Sequence, residues 1–221
     1  MNKQIQLFLS FIITTSAQTV IDVDLYRIAE DIVDGPEAIA FDVEGKMYTA
    51  NEDGRIIVLP RDGTDPYDCA QTEGRPLGLK FDLQGNLIVA DAYEGLLSID
   101  TTGEIAILST ECDSLPFLLT DDLDISSDGI IYFSDASSVN NLENNGDDWG
   151  EPNGRLLAYD PQTNETSLLL DGLYFANGVA LAPDESYVLV NESSLGRIRR
   201  YWLAGPNTGC LLYTSPSPRD Q

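Results

Sequence analysis

Four segments superimpose without a gap: EAIAFDVEGKMYTAN (Glu37–Asn51), LGLKFDLQGNLIVAD (Leu77–Asp91), DDLDISSDGIIYFSD (Asp121–Asp135) and NGVALAPDESYVLVN (Asn177–Asn191). Each alternates apolar and polar residues, breaks at a turn near Gly45, Gly85, Gly129 or Glu185, and alternates again. Side chains on a strand face opposite sides in turn, so alternation around turn residues marks a β-hairpin. The repeats begin 40, 44 and 56 residues apart (37 to 77, 77 to 121, 121 to 177). A third strand follows each hairpin: GRIIVLP, EGLLSID, GRLLAYD and GRIRRYWL. GEIAILST and ETSLLLD read as fourth, outer strands.

Four strands recurring about every 40 residues identify the blade of a β-propeller. The expected fold is therefore all-β, with four-stranded antiparallel blades, of which this chain carries about four. Long helical periodicity is absent, which excludes helical and leucine-rich solenoids. The first strand of each blade lines the central channel. Blade 3 carries a polar insertion, Val139–Gly154, between its second and third strands. That loop is either part of a lid over one channel mouth or an ordinary surface excursion. Val23–Ile32 reads as one further strand, of the kind that completes the last blade of a closed ring.

Composition narrows the chemistry. There are 37 acidic and 12 basic residues, a formal net charge of -25. Such a chain repels nucleic acid and anionic membranes and attracts cations, although an acidic surface by itself is not a metal site. Histidine is absent. This excludes Ser-His-Asp and Cys-His triads, His-rich zinc sites and any His base, leaving carboxylates, Lys, Tyr or an oxygen-bound metal. Cys69, Cys112 and Cys210 lack metal-type spacing, and a Cys69–Cys112 bridge and two separate thiols are both open. Residues 1–17 read as an export signal: Lys3, an apolar run from Leu7 to Ile13, then Thr15 and Ala17 at the −3 and −1 positions. Export to a periplasmic or extracellular space is expected. The apolar run is too short for a membrane span, and no transmembrane segment is expected.

Two columns of the alignment differ in character. The first position holds Glu37, Leu77, Asp121 and Asn177, which start the innermost strands and should ring one channel mouth. Three carry side-chain oxygen, and a mixed Glu/Asp/Asn set suits a hard cation such as Ca²⁺ better than Zn²⁺. The alternative is that they cap strand ends or bind channel water. The last position holds Asn51, Asp91, Asp135 and Asn191, a uniform set that suggests a repeated structural job at the turn into strand three.

The segments GPEAIAFDVEGKMYTANEDGRI, GRPLGLKFD, TDDLDISSDGIIYFSDASS and NGRLLAYDPQTNETSLLLDGLYFANGVALAPDESYVLVNESSLGRIRRYWLAGP resemble the strictosidine synthase-like family over roughly Val33–Gly209. The resemblance extends to gluconolactonase-like proteins, regucalcin and paraoxonases, which implies a six-bladed propeller with a central divalent ion. By motif, the implied metal ligands are Glu37 in GPE, Asn177 in ANG and Asp121 in TDD. Paraoxonases place a His where this chain has Leu77, so their His-assisted mechanism does not transfer. The implied function is metal-dependent hydrolysis of a small-molecule lactone or other ester, with Asp121 or Asp122 as the catalytic base. Amine–aldehyde condensation of the strictosidine synthase type and non-catalytic ligand binding are the alternatives. Residues 18–209 are expected to form blades 1–4 of the ring. CLLYTSPSPRDQ (210–221) loses the alternation, resembles the translation of a sequencing adapter, and is expected to be non-native. A chain of four blades is expected to be inactive as it stands.

Overall fold

All four hairpins form, and each becomes the inner half of a four-stranded antiparallel sheet. The computed structural model describes residues 32–62, 64–143 and 150–209, and the backbone of 211–213. Blade 1 comprises β1 (Ile39–Phe41), β2 (Met47–Ala50), β3 (Arg55–Leu59) and β4 (Tyr67–Gln71). Blade 2 comprises β5 (Pro76–Phe81), β6 (Leu87–Asp91), β7 (Gly95–Ile99) and β8 (Ile105–Ser109). A small ribbon, β9 (Glu111–Cys112) and β10 (Leu115–Pro116), leads into blade 3: β11 (Thr120–Ile125), β12 (Ile131–Asp135), β13 (Gly154–Asp160) and β14 (Glu165–Leu173). Blade 4 comprises β15 (Ala176–Leu181), β16 (Tyr187–Glu192), β17 (Arg197–Trp202) and β18 (Leu211–Tyr213). The insertion of blade 3 lies between its second and third strands, as the sequence implies. The export signal and all but Ile32 of the strand expected over Val23–Ile32 fall outside the described residues. The outer strand of blade 4 lies past the expected propeller boundary at residue 209, inside the segment set aside as non-native. Its backbone pairs with Arg199–Tyr201, which asks only for an extended segment that reaches the edge.

The hairpin turns are built locally. Asp42 Oδ1 accepts the N–H groups of Glu44 and Lys46, and Asp82 Oδ1 those of Gln84 and Asn86. Gly45, Gly85 and Gly129 then close the turns at φ of 80°, 89° and 92°, where a side chain would be strained. Blade 4 differs. Its turn runs from Ala182 to Tyr187, one residue longer than Asp42–Lys46, Asp82–Asn86 or Ser126–Ile130.

Blades stack through alternate faces of the same strands. Every residue of β6 is buried. Leu87 and Val89 pack on Ala40, Ala50 and Ile56 of blade 1, while Ile88 and Ala90 pack on Leu123, Ile131 and Phe133 of blade 3. β12 repeats the pattern, with Tyr132 turned to Val179, Val188 and Val190 of blade 4. Each of the larger of these side chains (Leu, Ile, Val, Phe) contributes about 1.5–3 kcal/mol on burial, so interblade packing is the main source of cohesion.

The uniform column does a structural job, but the extra turn residue shifts its last member. Opposite the starts of β5, β11 and β15 stand Asp91, Asp135 and Glu192, not Asn191. Each fastens the segment leading into its own blade's first strand. Asn51 Oδ1 accepts Asp34 N–H, and Asp91 accepts Arg75 N–H together with Thr72, Tyr93 and Glu94. Asp135 accepts Leu118 and Leu119 N–H and pairs with Arg155 at 2.6 Å. Glu192 accepts Tyr174 N–H and pairs with Arg197 and Arg199. Burial opposes ionisation of Glu192, but the two guanidinium groups prevail and hold its carboxyl below the usual range.

Removing one partner of a buried ion pair leaves uncompensated charge, at a cost of about 3–5 kcal/mol. Glu192→Ala is expected to lose stability of that order. Asn191→Ala, whose Oδ1 is buried without a partner, should lose less than about 1 kcal/mol. Urea denaturation separates the two, and equal losses would restore the ungapped register.

Candidate functional site

The residues of the first column follow the fastened segments within two or three positions, so the same hydrogen bonds fix where they start. They also sit in backbone irregularities. The registers of β5, β11 and β15 shift between Pro76 and Gly78, Thr120 and Leu123, and Ala176 and Val179. These shifts enclose Leu77, the pair Asp121–Asp122, and Asn177. Such bulges re-aim side chains at strand ends. Glu37 lies two residues ahead of β1. Blades 2 and 3 approach closely here. A Cβ on Gly78 would lie 2.8 Å from the Asp121 carbonyl oxygen and 2.9 Å from Asp122 Cα, so only glycine fits.

The four residues then diverge. Leu77 is buried in an apolar cluster with Ala92, Leu119 and Ala136, against which Leu142 and Phe175 pack. Leu142 belongs to the blade 3 insertion, whose first residues thus reach the mouth. Glu37 is exposed, and Arg75 Nη2 stands 3.8 Å from its carboxylate. Asp121 receives no hydrogen bond on its carboxylate from any described residue. Burial, then the charges of Asp122 and Glu37, push its pKa up to about 8. Those two charges place Glu37 and Asp121 in one electrostatic neighbourhood. Asn177 starts the adjacent inner strand and makes no side-chain hydrogen bond to either carboxylate. Among the described residues, no group of three or more His, Cys, Asp or Glu side chains is close enough to hold a metal ion.

Asp122 is tied to blade 4. Its Oδ2 accepts Val179 N–H at 2.8 Å, and burial raises its pKa against that bond. Two residues on, Asp124 repeats the contact with Leu181 N–H and also takes the ammonium of Lys80 from blade 2. Further along these strands lies a recess of about 380 Å³, lined by Ile39, Leu79, Lys80, Asp122, Asp124 and Val179 among others. Its volume suits a small molecule, and its walls mix apolar side chains with a few charged groups. The sequence reading missed Asp124, Lys80 and Arg75. Carboxylates at alternate positions of β11 were the available signal, since i and i+2 share a strand face. Cys69 and Cys112 are free thiols, the first half-buried and the second buried. No helix among the described residues is long and apolar enough to cross a membrane.

The strictosidine synthase family model matches residues 121–206, and the N-terminal model of strictosidine synthase-like proteins matches residues 23–59. Together they cover more than half of the chain. Protein STRICTOSIDINE SYNTHASE-LIKE 3 of Arabidopsis thaliana is 38% identical over 214 residues, covering 80% of this chain and 52% of that protein. An adipocyte plasma membrane-associated protein of Salmo salar is 36% identical over 211 residues, covering 83% and 48%. A gluconolactonase from Xanthomonas campestris superimposes with a TM-score of 0.70 at 18% identity, over 84% of this chain and 64% of that one. The last comparison establishes the propeller fold. The chain spans about half the length of the curated relatives it matches.

The environment of Asp121 has a measurable consequence. An unfolded Asp titrates near 3.9, whereas Asp121 in the fold titrates at about 8. The folded state therefore holds this proton more tightly, and the residue's contribution to stability declines as pH rises between those values. The decline is expected to be on the order of 2 kcal/mol after solvent screening. In urea denaturation with chelator present, Asp121→Asn should be more stable than the parent at pH 8 and equal to it near pH 4. Parallel pH profiles would mean that Asp121 ionises normally.

Proposed function

The chain belongs to the strictosidine synthase-like family, and from that premise we propose that the whole protein hydrolyses small lactones or other esters with the help of a hard divalent cation such as Ca²⁺. The observation that carries this reading is Asp121, a half-buried, desolvated carboxyl that no described residue hydrogen-bonds, with Asp122 and Glu37 as like charges nearby. Such a group is satisfied by a proton or by a cation. The donor set at the mouth fits the second option. Glu37, Asp121 and Asn177 offer only oxygen, no histidine exists in the chain, and hard cations prefer carboxylate and amide oxygen. Backbone carbonyls and water would complete the coordination. The likeness to a gluconolactonase supports the scaffold, and the choice of lactones as substrates extends that likeness to chemistry.

The cation would supply Lewis-acid polarisation of the ester carbonyl. The protein's own groups divide the remaining work. As a ligand Asp121 would have to be ionised, so affinity should rise with pH towards 8. Asp122 lines the recess and is anchored through Oδ2 to the backbone of blade 4. Its raised pKa makes it a better proton acceptor than an exposed carboxylate, and it takes the proton of the attacking water. Ile39, Leu79 and Val179 provide an apolar wall for the hydrocarbon part of the substrate.

Calorimetric titration of the chain with Ca²⁺ tests the reading. Binding is expected to tighten by up to about tenfold per pH unit below pH 8, with proton release. Glu37→Gln and Asn177→Ala should each weaken it by about 10-fold or more. Unchanged affinity in both variants would make the column structural. Failure of the full-length protein to hydrolyse aryl esters and lactones in excess Ca²⁺ would remove the catalytic half of the proposal.

A further inference from the structure

We infer that Arg75, in the GRP segment ahead of blade 2, is a positioning residue that reaches across to blade 1 and holds the Gly35–Pro36–Glu37 loop, and with it Glu37, at the channel mouth. The inference rests on the cation reading given above. Its basis is a chain of contacts that starts with the backbone. Asp91 is fully buried, and its Oδ1 accepts Arg75 N–H at 2.9 Å. The Arg75 carbonyl accepts Ala92 N–H at 2.8 Å. A Cβ on the preceding Gly74 would lie 2.0 Å from Asp91 Oδ1, so the backbone is pressed against that carboxylate. Arg75 therefore projects from a rigid seat.

Its side chain crosses between blades. Nη2 donates to the Gly35 carbonyl at 3.0 Å and lies 3.8 Å from Glu37 Oε1, while Nη1 lies 3.9 Å from Glu52 Oε2. The side chain is only 13% exposed, against 55% for Glu37. The buried member is thus the cation and the exposed member its carboxylate partner, as expected of an anchor and the group it holds. Gly35 has φ of 58°, and a Cβ there would sit 3.1 Å from both Arg75 Nη2 and Glu52 Oε2. The loop is shaped around the guanidinium. Asp34, immediately before, is tied to Asn51 Oδ1 and Glu52 N–H. Nη1 is buried without a hydrogen bond, so the guanidinium interacts with Glu37 and Glu52 as a charge rather than as a close fork. In a chain with net charge -25, one cation at this place limits the repulsion between Glu37, Glu52 and Asp121, and does so without occupying the mouth.

The test uses Arg75→Met, which keeps the bulk, and Arg75→Lys, which keeps the charge. Two measurements are needed: Ca²⁺ affinity by calorimetry, and amide hydrogen exchange of the metal-free chain. Arg75→Met is expected to weaken Ca²⁺ about 10-fold and to speed exchange at Asp34 and Glu52. Arg75→Lys should recover part of the affinity. In a Glu37→Gln background, Arg75→Met should have little further effect, because both changes act through the same carboxylate. If Glu37→Gln weakens Ca²⁺ but Arg75→Met does not, the positioning role is wrong while the cation site stands. If Glu37→Gln leaves Ca²⁺ affinity unchanged, the cation site falls and takes this role with it. Should Arg75→Met fail to fold, full Ca²⁺ affinity and unchanged amide exchange in Arg75→Lys would overturn the role, since a compact ammonium cannot take the Gly35 carbonyl and face both Glu37 and Glu52 as the broad guanidinium does.

Discussion

A short polar side chain at the end of each second strand fastens the segment that leads into the first strand of the same blade, and the channel mouth depends on it. Asn51, Asp91, Asp135 and Glu192 perform this task with different chemistry. Where the lead-in approaches as bare backbone N–H, an Asn or Asp suffices. In blades 3 and 4 the carboxylate also takes arginine, the buried Arg155 or the pair of half-buried Arg197 and buried Arg199. Buried ion pairs of this kind add little net stability over an apolar replacement, but breaking one is costly, so they fix geometry more than they add cohesion. Cohesion comes from the apolar faces between blades. The two contributions are separable: packing holds the blades together, and the fasteners decide which side chains appear at the axis.

Polar contacts between inner strands extend this logic along the channel. Adjacent first strands are not hydrogen-bonded to one another as strands in a sheet. Asp122 and Asp124 bridge part of the gap, each reaching from β11 to a backbone N–H of β15. Lys80 joins the second carboxylate from the other side. Asp121, one residue before this ladder, has no donor among the described residues, and its pKa climbs to about 8. Neighbouring aspartates thus acquire different characters from the bulge in β11. Asp122 is anchored to the backbone of β15, whereas Asp121 is a desolvated carboxyl that holds its proton more tightly and has no ionic partner among the described residues.

The propeller was legible because its signals are local. Alternation and a glycine at positive φ repeat in three blades, with an Asx-type turn in the first two, and a fourth copy is recognisable by analogy. The register at the end of blade 4 was not legible. One added residue between Ala182 and Tyr187 leaves the ungapped alignment looking sound, yet it moves the fastener from Asn191 to Glu192. The gathering of Arg197 and Arg199 around the buried Glu192 is a tertiary fact that the segment NESSLGRIRR does not announce. At the mouth, the column of strand starts identified Glu37, Asp121 and Asn177, and the geometry brings Glu37 and Asp121 into electrostatic contact. It did not reveal Arg75, because that residue acts across a blade boundary and belongs to another repeat. Nor could it separate Asp121 from Asp122, since only the bulge decides which of the two meets Val179.

Family membership, the oxygen-only donor set and the unpartnered Asp121 converge on one claim, that the mouth is built to accept a hard cation. Anomalous diffraction from a crystal of the chain grown with Mn²⁺ examines that claim directly. The account expects one strong peak at the mouth, about 2.1–2.6 Å from side-chain oxygens of Glu37, Asp121 and Asn177. Absence of a peak there at millimolar Mn²⁺, with Asp121 unchanged in position, would contradict it.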